Sequence, residues 1–246
     1  MSQSHYGRSF FDLQLHFARK VAALSGMPLA RALLEYTNLY VRFGLGRAFD
    51  PDHPTWREYL AGLARVDDGV EWTHRFYLTR SEARAGPAVA ATFGCFSYAL
   101  PADGRLRLHF WNAETGGHSP LAIEGMERRV GELRALFLHV RQSGREPLQV
   151  VGASWLYNLP AYRRLFPDSY LASARVLGGR FQHMPLWGQF VDRHGEVRET
   201  MARPFLERVE RQSSAGGLEQ CFPFQVLSPE APVRDFYAFY GLPGRR

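Results

Sequence analysis

The chain has 246 residues, of which 46% are apolar, 14% aromatic and 22% charged, a composition that excludes a disordered, collagen-like or low-complexity protein. Two cysteines exclude a disulfide framework. The net charge of +6 rests almost wholly on arginine, Lys20 being the sole lysine, and it spreads as +1, +1, +3 and +1 over residues 1–69, 70–119, 120–166 and 167–246, without the clustered footprint of a nucleic-acid binder.

The first third reads as helices. Ser9 precedes Phe10, Phe11, Leu13, Phe17, Val21 and Leu24, and Gly26 stops that run. Pro28 opens a second helix carrying Leu29, Leu33, Leu34, Tyr36, Leu39, Tyr40 and Phe43, which Gly44 ends. Pro54 opens a third with Trp56, Tyr59, Leu60 and Leu63, and Asp67, Asp68 and Gly69 close the helical section. From there the apolar period changes to two: Val70, Trp72, His74, Phe76 and Leu78 alternate with polar neighbours, which predicts a half-buried strand. Residues 88–100 predict a second strand, apolar on both faces. After a turn at 101–104, residues 105–112 predict a third, completing an antiparallel meander.

A long helix follows, with Ser119 as N-cap, Pro120 as first residue and Met126, Val130, Leu133, Phe137 and Val140 on one stripe up to Gly144. Its Arg128, Arg129, Arg134 and Arg141 are largely offset by Glu124, Glu127 and Glu132, as on a solvated face. Residues 148–154 predict a strand buried on both faces, 160–166 a short helix and 170–176 a strand. A hairpin at 192–195, a helix over 203–212, a strand over 221–227 and a helix over 232–240 complete the chain. The expected organisation is a helical segment, 1–69, and an α+β domain, 70–246.

Several classes are excluded or disfavoured by pattern. The apolar run at 87–100 is too short to span a bilayer, so no membrane partner is expected. Residues 1–14 lack the apolar core of a signal peptide, which points to the cytoplasm. Cys95 and Cys221 lie in apolar runs and read as buried, reduced thiols. The sequence has no Walker A loop, no G-x-S-x-G elbow and no zinc-type Cys/His spacing, and its nine histidines are scattered. No metal site is expected.

The order meander, long helix, buried strand, short helix and further strands resembles the GNAT acyltransferase fold. More narrowly, Leu108-His109-Phe110-Trp111, Gly116-Gly117, Pro120-Leu121, the long helix and Ser154-Trp155-Leu156 resemble a bacterial GNAT-like group with a helical N-terminal part, over roughly residues 30–190. The resemblance implies a GNAT-like mixed sheet and acyl-CoA as co-substrate. Its pyrophosphate would lie where the long helix starts, at Gly116, Gly117 and the Ser119 hydroxyl, because unpaired N–H groups and the helix dipole converge there. The family's Gln/Arg-Gly-x-Gly loop is absent, and a strand-to-helix turn with a Ser-Pro cap accounts for the same residues without a ligand. Asn158 matches the Asn of the family's Asn-x-x-Ala and joins the cofactor set. Glu114, His109 and His118 are the candidate bases nearest the expected cleft, and Tyr157 the candidate acid for the leaving thiolate; each also reads as a structural residue.

Two functions therefore stand as expectations. One is an acyl-CoA-dependent N-acyltransferase with a small-molecule or peptide amine as acceptor. The other is a non-catalytic interaction protein on the same fold, with Tyr36, Tyr40, Trp56 and Tyr59 either as its binding surface or as core.

Overall fold

A computed structural model describes residues 6–80, 89–114, 119–144 and 147–242. The N-terminal helices form as their apolar spacing dictates. Helix α1 (Arg8–Ser25) buries Phe10, Phe11, Leu13, Phe17 and Val21, and Gly26, at φ 73°, donates its N–H to the Ala22 carbonyl to end it. Helix α2 (Leu29–Tyr36) stops earlier than its apolar pattern predicts. The Thr37 hydroxyl turns back on the Leu33 carbonyl, and the Asn38 N–H goes to the buried Gln14 side chain. A short α3 (Leu39–Arg42) and α4 (Pro54–Leu63) follow.

Residues 69–78 are a helix, α5 (Gly69–Leu78), and not the predicted strand. Asp68 decides the matter: its Oδ1 accepts from the N–H groups of Val70 (3.1 Å) and Glu71 (2.9 Å), opening a helix where the sequence pattern implied an end. The residues actually buried, Gly69, Thr73, Phe76 and Tyr77, follow the helical period. Trp72 donates its indole N–H to the Tyr59 carbonyl, 3.0 Å away.

The predicted strand over 88–100 is a tight hairpin of β1 (Ala91–Phe93) and β2 (Phe96–Ala99), because Gly94 takes φ 56° and reverses the chain. Strand β3 (Leu106–Phe110) completes the meander. The long helix α6 (Met126–Gln142) begins later than Ser119: a 3-10 turn, Ile123–Gly125, precedes it, and Leu133, Leu136, Phe137 and Val140 form its buried stripe. Next come β4 (Gln149–Val151), a 3-10 turn (Trp155–Asn158), α7 (Pro160–Arg163), α8 (Asp168–Ala172) and the two-residue β5 (Arg175–Val176). Of the strand predicted over 170–176, residues 170–172 are helix and only Arg175–Val176 are strand. The 192–195 hairpin turn is present, with Asp192 Oδ1 accepting from the His194 and Glu196 N–H groups. Helix α9 is Glu199–Glu210, and a 3-10 turn (Ala215–Cys221) occupies the start of the predicted 221–227 strand. The chain closes with β6 (Leu227–Ser228), β7 (Glu230–Pro232) and α10 (Val233–Phe239).

The fold is mixed α+β and divides into two compact units: Met1–Pro87 with Gly178–Phe224, and Ala88–Leu177 with Gln225–Arg246. Residues 70–80 and 178–224, expected within the α+β domain, belong to the helical unit. There Phe17, Phe190, Phe205 and Phe222, with Trp187, interlock, with ring centroids as close as 4.7 Å. Tyr40, Trp56 and Tyr59 are fully buried in this unit, so they are core and not an exposed binding surface. The second unit holds a five-stranded sheet in the order β1-β2-β3-β4-β7, antiparallel except for the β3–β4 pair. Its core joins that sheet to α6, the tyrosines of the 155–170 region and α10.

Candidate functional site

The site lies where the second unit's parallel strands part. The β3–β4 ladder covers only Leu106↔Val150 and Arg107↔Val151. Beyond it β3 continues beside β2, with the Trp111 N–H on the Cys95 carbonyl at 3.0 Å. The chain after β4 stays with the other neighbour. Gly152 donates to the Pro229 carbonyl (3.0 Å), and Ser154 and Leu227 exchange both main-chain bonds (3.0 and 3.1 Å). The Ser228 hydroxyl holds the Gly152 carbonyl at 3.0 Å. The two strands thus diverge at their carboxyl ends, where open sheets place ligand crevices. Ladder alternation turns the main-chain groups of Phe110 on one edge, and of Ala153 on the other, toward the gap.

Tyrosines pack beside the divergence. The hydroxyls of Tyr157 and Tyr170 bond to each other at 2.8 Å directly against Gly152, so closely that a Cβ there would overlap both. The Tyr162 ring packs edge-on against Phe110 (5.4 Å) and Tyr157 (5.1 Å). Burial pushes all three phenols well above the usual tyrosine range, so they remain neutral hydrogen-bonding groups.

A charged cluster ties the β1–β2 turn to the first turn of α6. Arg129, 1% exposed, sends Nη2 to Glu114 Oε1 (2.6 Å) and Glu132 Oε1 (2.8 Å), and Nη1 to Cys95 Sγ. Glu132 Oε2 accepts the Cys95 N–H at 3.0 Å, and its carboxylate occupies the space a Cβ on Gly94 would need. Arg128 reaches Glu114 and, at 3.5 Å, Glu132. Two guanidiniums and two carboxylates balance, as interior charge requires. Burial pushes the Cys95 thiol up, keeping it protonated at neutral pH. The predicted solvated face of α6 is therefore wrong at Arg129.

The residues nominated by sequence are distributed around this split. Glu114 belongs to the charged cluster, with Oε1 on Arg129 and Oε2 on Arg128. His109 is half-buried on β3, opposite Ser97. Tyr157 is core, on the β4 side. Asn158 gives its amide to the Trp155 and Gln225 carbonyls (2.7 and 2.8 Å), which pins the 3-10 turn. Ser119 is exposed, and its Oγ accepts from the Leu121 N–H at 3.3 Å; with α6 starting at Met126 it is not that helix's cap. Gly116, Gly117 and His118 lie outside the described residues.

The chain matches no family model, no curated protein and no solved structure. Among the described residues no helix is long and apolar enough to cross a membrane, and no group of three or more His, Cys, Asp or Glu side chains is placed to hold a metal. Arg129, Glu132 and Cys95 have no joint signature in the sequence. Their helical half was visible, since Arg128, Arg129 and Glu132 stand at i,i+4 and i,i+3, but Cys95 and Glu114 join only through the tertiary fold.

Proposed function

We propose that the second unit is an acyl-CoA-dependent N-acyltransferase site acting on a small-molecule or peptide amine. The observation that carries this reading is the parting of β3 and β4 at their carboxyl ends, with α6 as the crossover between them. In the GNAT acyltransferases, which the motif order resembles, two splayed strands hold the acyl-CoA arm. The reading is supported by the order of elements, an antiparallel meander, a long helix, a parallel strand and short helices, with a last strand beside β4 that follows the 178–224 excursion. The fit of such an arm rests on the edges of the split. Phe110 and Ala153 turn main-chain groups to it, and an extended chain bearing amides pairs with such edges as an added strand does.

Acyl-CoA supplies a thioester whose C–S bond breaks as the amine forms its N–C bond. His109, on β3 beside the split, takes the proton the amine sheds. Glu114 is unsuited to that task because a guanidinium occupies each of its oxygens; it fixes the segment leaving β3 instead. Tyr157, with Tyr162 and Tyr170, keeps the strands apart, and the leaving thiolate takes its proton from water. Asn158 holds the turn that follows the split. Gly116, Gly117 and Ser119, on the path from β3 to α6, are the proposed pyrophosphate contacts.

Native mass spectrometry and thermal-shift titration of the full chain test this. Bound CoA, or a Tm raised by acetyl-CoA or a longer acyl-CoA, is expected. Thiol release with an amine panel then falls about 100-fold or more in His109→Ala. If CoA is absent from the native spectrum and no acyl-CoA shifts the Tm, the acyltransferase reading fails and a non-catalytic interaction scaffold takes its place.

A further inference from the structure

The first unit carries a site that the acyltransferase reading does not use. Glu35, on α2 and 7% exposed, accepts two arginine Nε–H groups on one oxygen: Arg31 at 3.1 Å from its own helix, and Arg180 at 2.8 Å from a segment 145 residues away. Both arginine side chains are about 60% exposed. Each spends its Nε on Glu35, and its terminal NH2 groups have no other acceptor among the described residues. The trio carries a net charge of +1. A buried carboxylate that orients two arginine forks is the support such a clamp requires.

This trio sits between two hollows. One, of about 460 Å³, has apolar walls from Pro28, Leu34, Pro51 and Leu60. That is within the range of about 300–1,000 Å³ for small-molecule pockets. The other, of about 430 Å³, is lined by Tyr36, Gln182, His183 and Glu219. Glu219 makes the second hollow hostile to an anion, so an anionic head on the arginines directs its body into the apolar one. Phe181, which lines the second hollow, and Phe49 are the non-glycine residues with positive φ among those described, at 65° and 49°. Their rings stack at 4.2 Å, and the Arg180 guanidinium lies over Phe181 at 4.8 Å.

We infer that the Arg31–Glu35–Arg180 trio and the adjoining apolar hollow bind an organic monocarboxylate with an apolar body. One planar carboxylate matches the guanidinium forks; with Glu219 on the hollow that the same two arginines line, a phosphate monoester, at about −1.5 to −2, brings a larger excess of negative charge than a monocarboxylate does.

Calorimetric titration of the full chain with octanoate, octan-1-ol, octylamine and octyl phosphate tests this. Octanoate is expected to bind at least about 10-fold more tightly than the other three. Arg31→Gln and Arg180→Gln are each expected to weaken it by about 10- to 100-fold, the worth of a charge-assisted contact. Arg203→Gln, at an 81% exposed surface pair, is expected to leave binding unchanged. Both arginines are exposed enough for their variants to fold, and an unchanged circular dichroism spectrum checks it. Absent octanoate binding, equal binding of the alcohol, unaffected arginine variants or tighter binding of octyl phosphate would each overturn the assignment.

Discussion

Replacing Arg129 by Met tests whether the charged cluster beside the split is a single unit. The guanidinium is 1% exposed and serves Glu114, Glu132 and Cys95 together. Removing one member of a buried pair costs about 3–5 kcal/mol, chiefly because the opposite charge is left without compensation. The two carboxylates are 21% and 12% exposed, Arg128 stays within reach of both, and Glu132 keeps the Cys95 N–H. The cost therefore falls at the low end, about 3 kcal/mol. Neutralising both partners as well, in Arg129→Met/Glu114→Gln/Glu132→Gln, removes the stranded charge and restores most of that loss. Urea unfolding at neutral pH, followed by hydrogen exchange at β1 and β2 so that the second unit is read separately, measures both. A single variant that loses less than about 1 kcal/mol, or a triple variant no better than the single, would refute the cluster as a charge-balanced unit.

Two further outcomes follow from buried groups. His183 is buried against Tyr36, with ring centroids 4.9 Å apart, and burial pushes its pKa from 6.5 down to about 4. Its native form is neutral while the unfolded chain binds a proton below about pH 6.5. Stability therefore falls as pH drops from 6.5 toward 4, by up to about 1.4 kcal/mol per pH unit from this residue. Thermal melts across that window should show the slope in the wild type and a shallower one in His183→Phe. Gly152→Ala drives a Cβ into the Tyr157 and Tyr170 hydroxyls and should destabilise by about 1–3 kcal/mol. Adding Tyr170→Phe, which removes one of the obstructing oxygens, should recover part of that loss in the same melts.

The parts of this fold legible in the sequence are those with one dominant period. Phe10, Phe17 and Val21 of α1, and Leu133, Phe137 and Val140 of α6, occupy the buried stripes their spacing implies. Residues 69–78 satisfy two periods at once. Val70, Trp72, His74 and Phe76 alternate, while Thr73, Phe76 and Tyr77 lie on a helical face, and only the Asp68 cap separates the alternatives. In the 88–100 run the strands carry apolar residues on both sides of Gly94, so nothing in their periodicity marks the reversal. The candidate sites were least legible. Glu114 and His109 are visible as polar residues around a strand end, but Arg129's burial depends on Cys95, 34 positions away, and Glu35's second arginine lies 145 positions away. Such pairs have no local signature.

The division of the chain itself makes a testable claim. Residues 178–224 belong with the helices, yet they leave and re-enter the second unit through one narrow neck. Arg175 and Val176 pair with Ser228 and Leu227, and the Leu177 N–H donates to the Val226 carbonyl at 2.8 Å. The two ends of the excursion are therefore held side by side by the second unit's own strands. Closing a loop costs little more when it is long than when it is short, so a 47-residue excursion imposes little penalty on those strands. The converse follows: joining Leu177 to Gln225 through a short Gly-Asn-Gly turn should preserve the β5–β6 pair and the sheet beyond it. A chain of residues 88–246 with that replacement should unfold cooperatively and keep exchange protection at Phe96, Tyr98, Leu106 and Val150, the buried positions of β2, β3 and β4. It should also retain whatever acyl-CoA affinity the full protein has, because Phe110, Ala153, Tyr157, Tyr162 and Tyr170 all remain. Loss of that protection would mean that the sheet depends on the helical unit for its stability, and that the neck does not bound an independent fold.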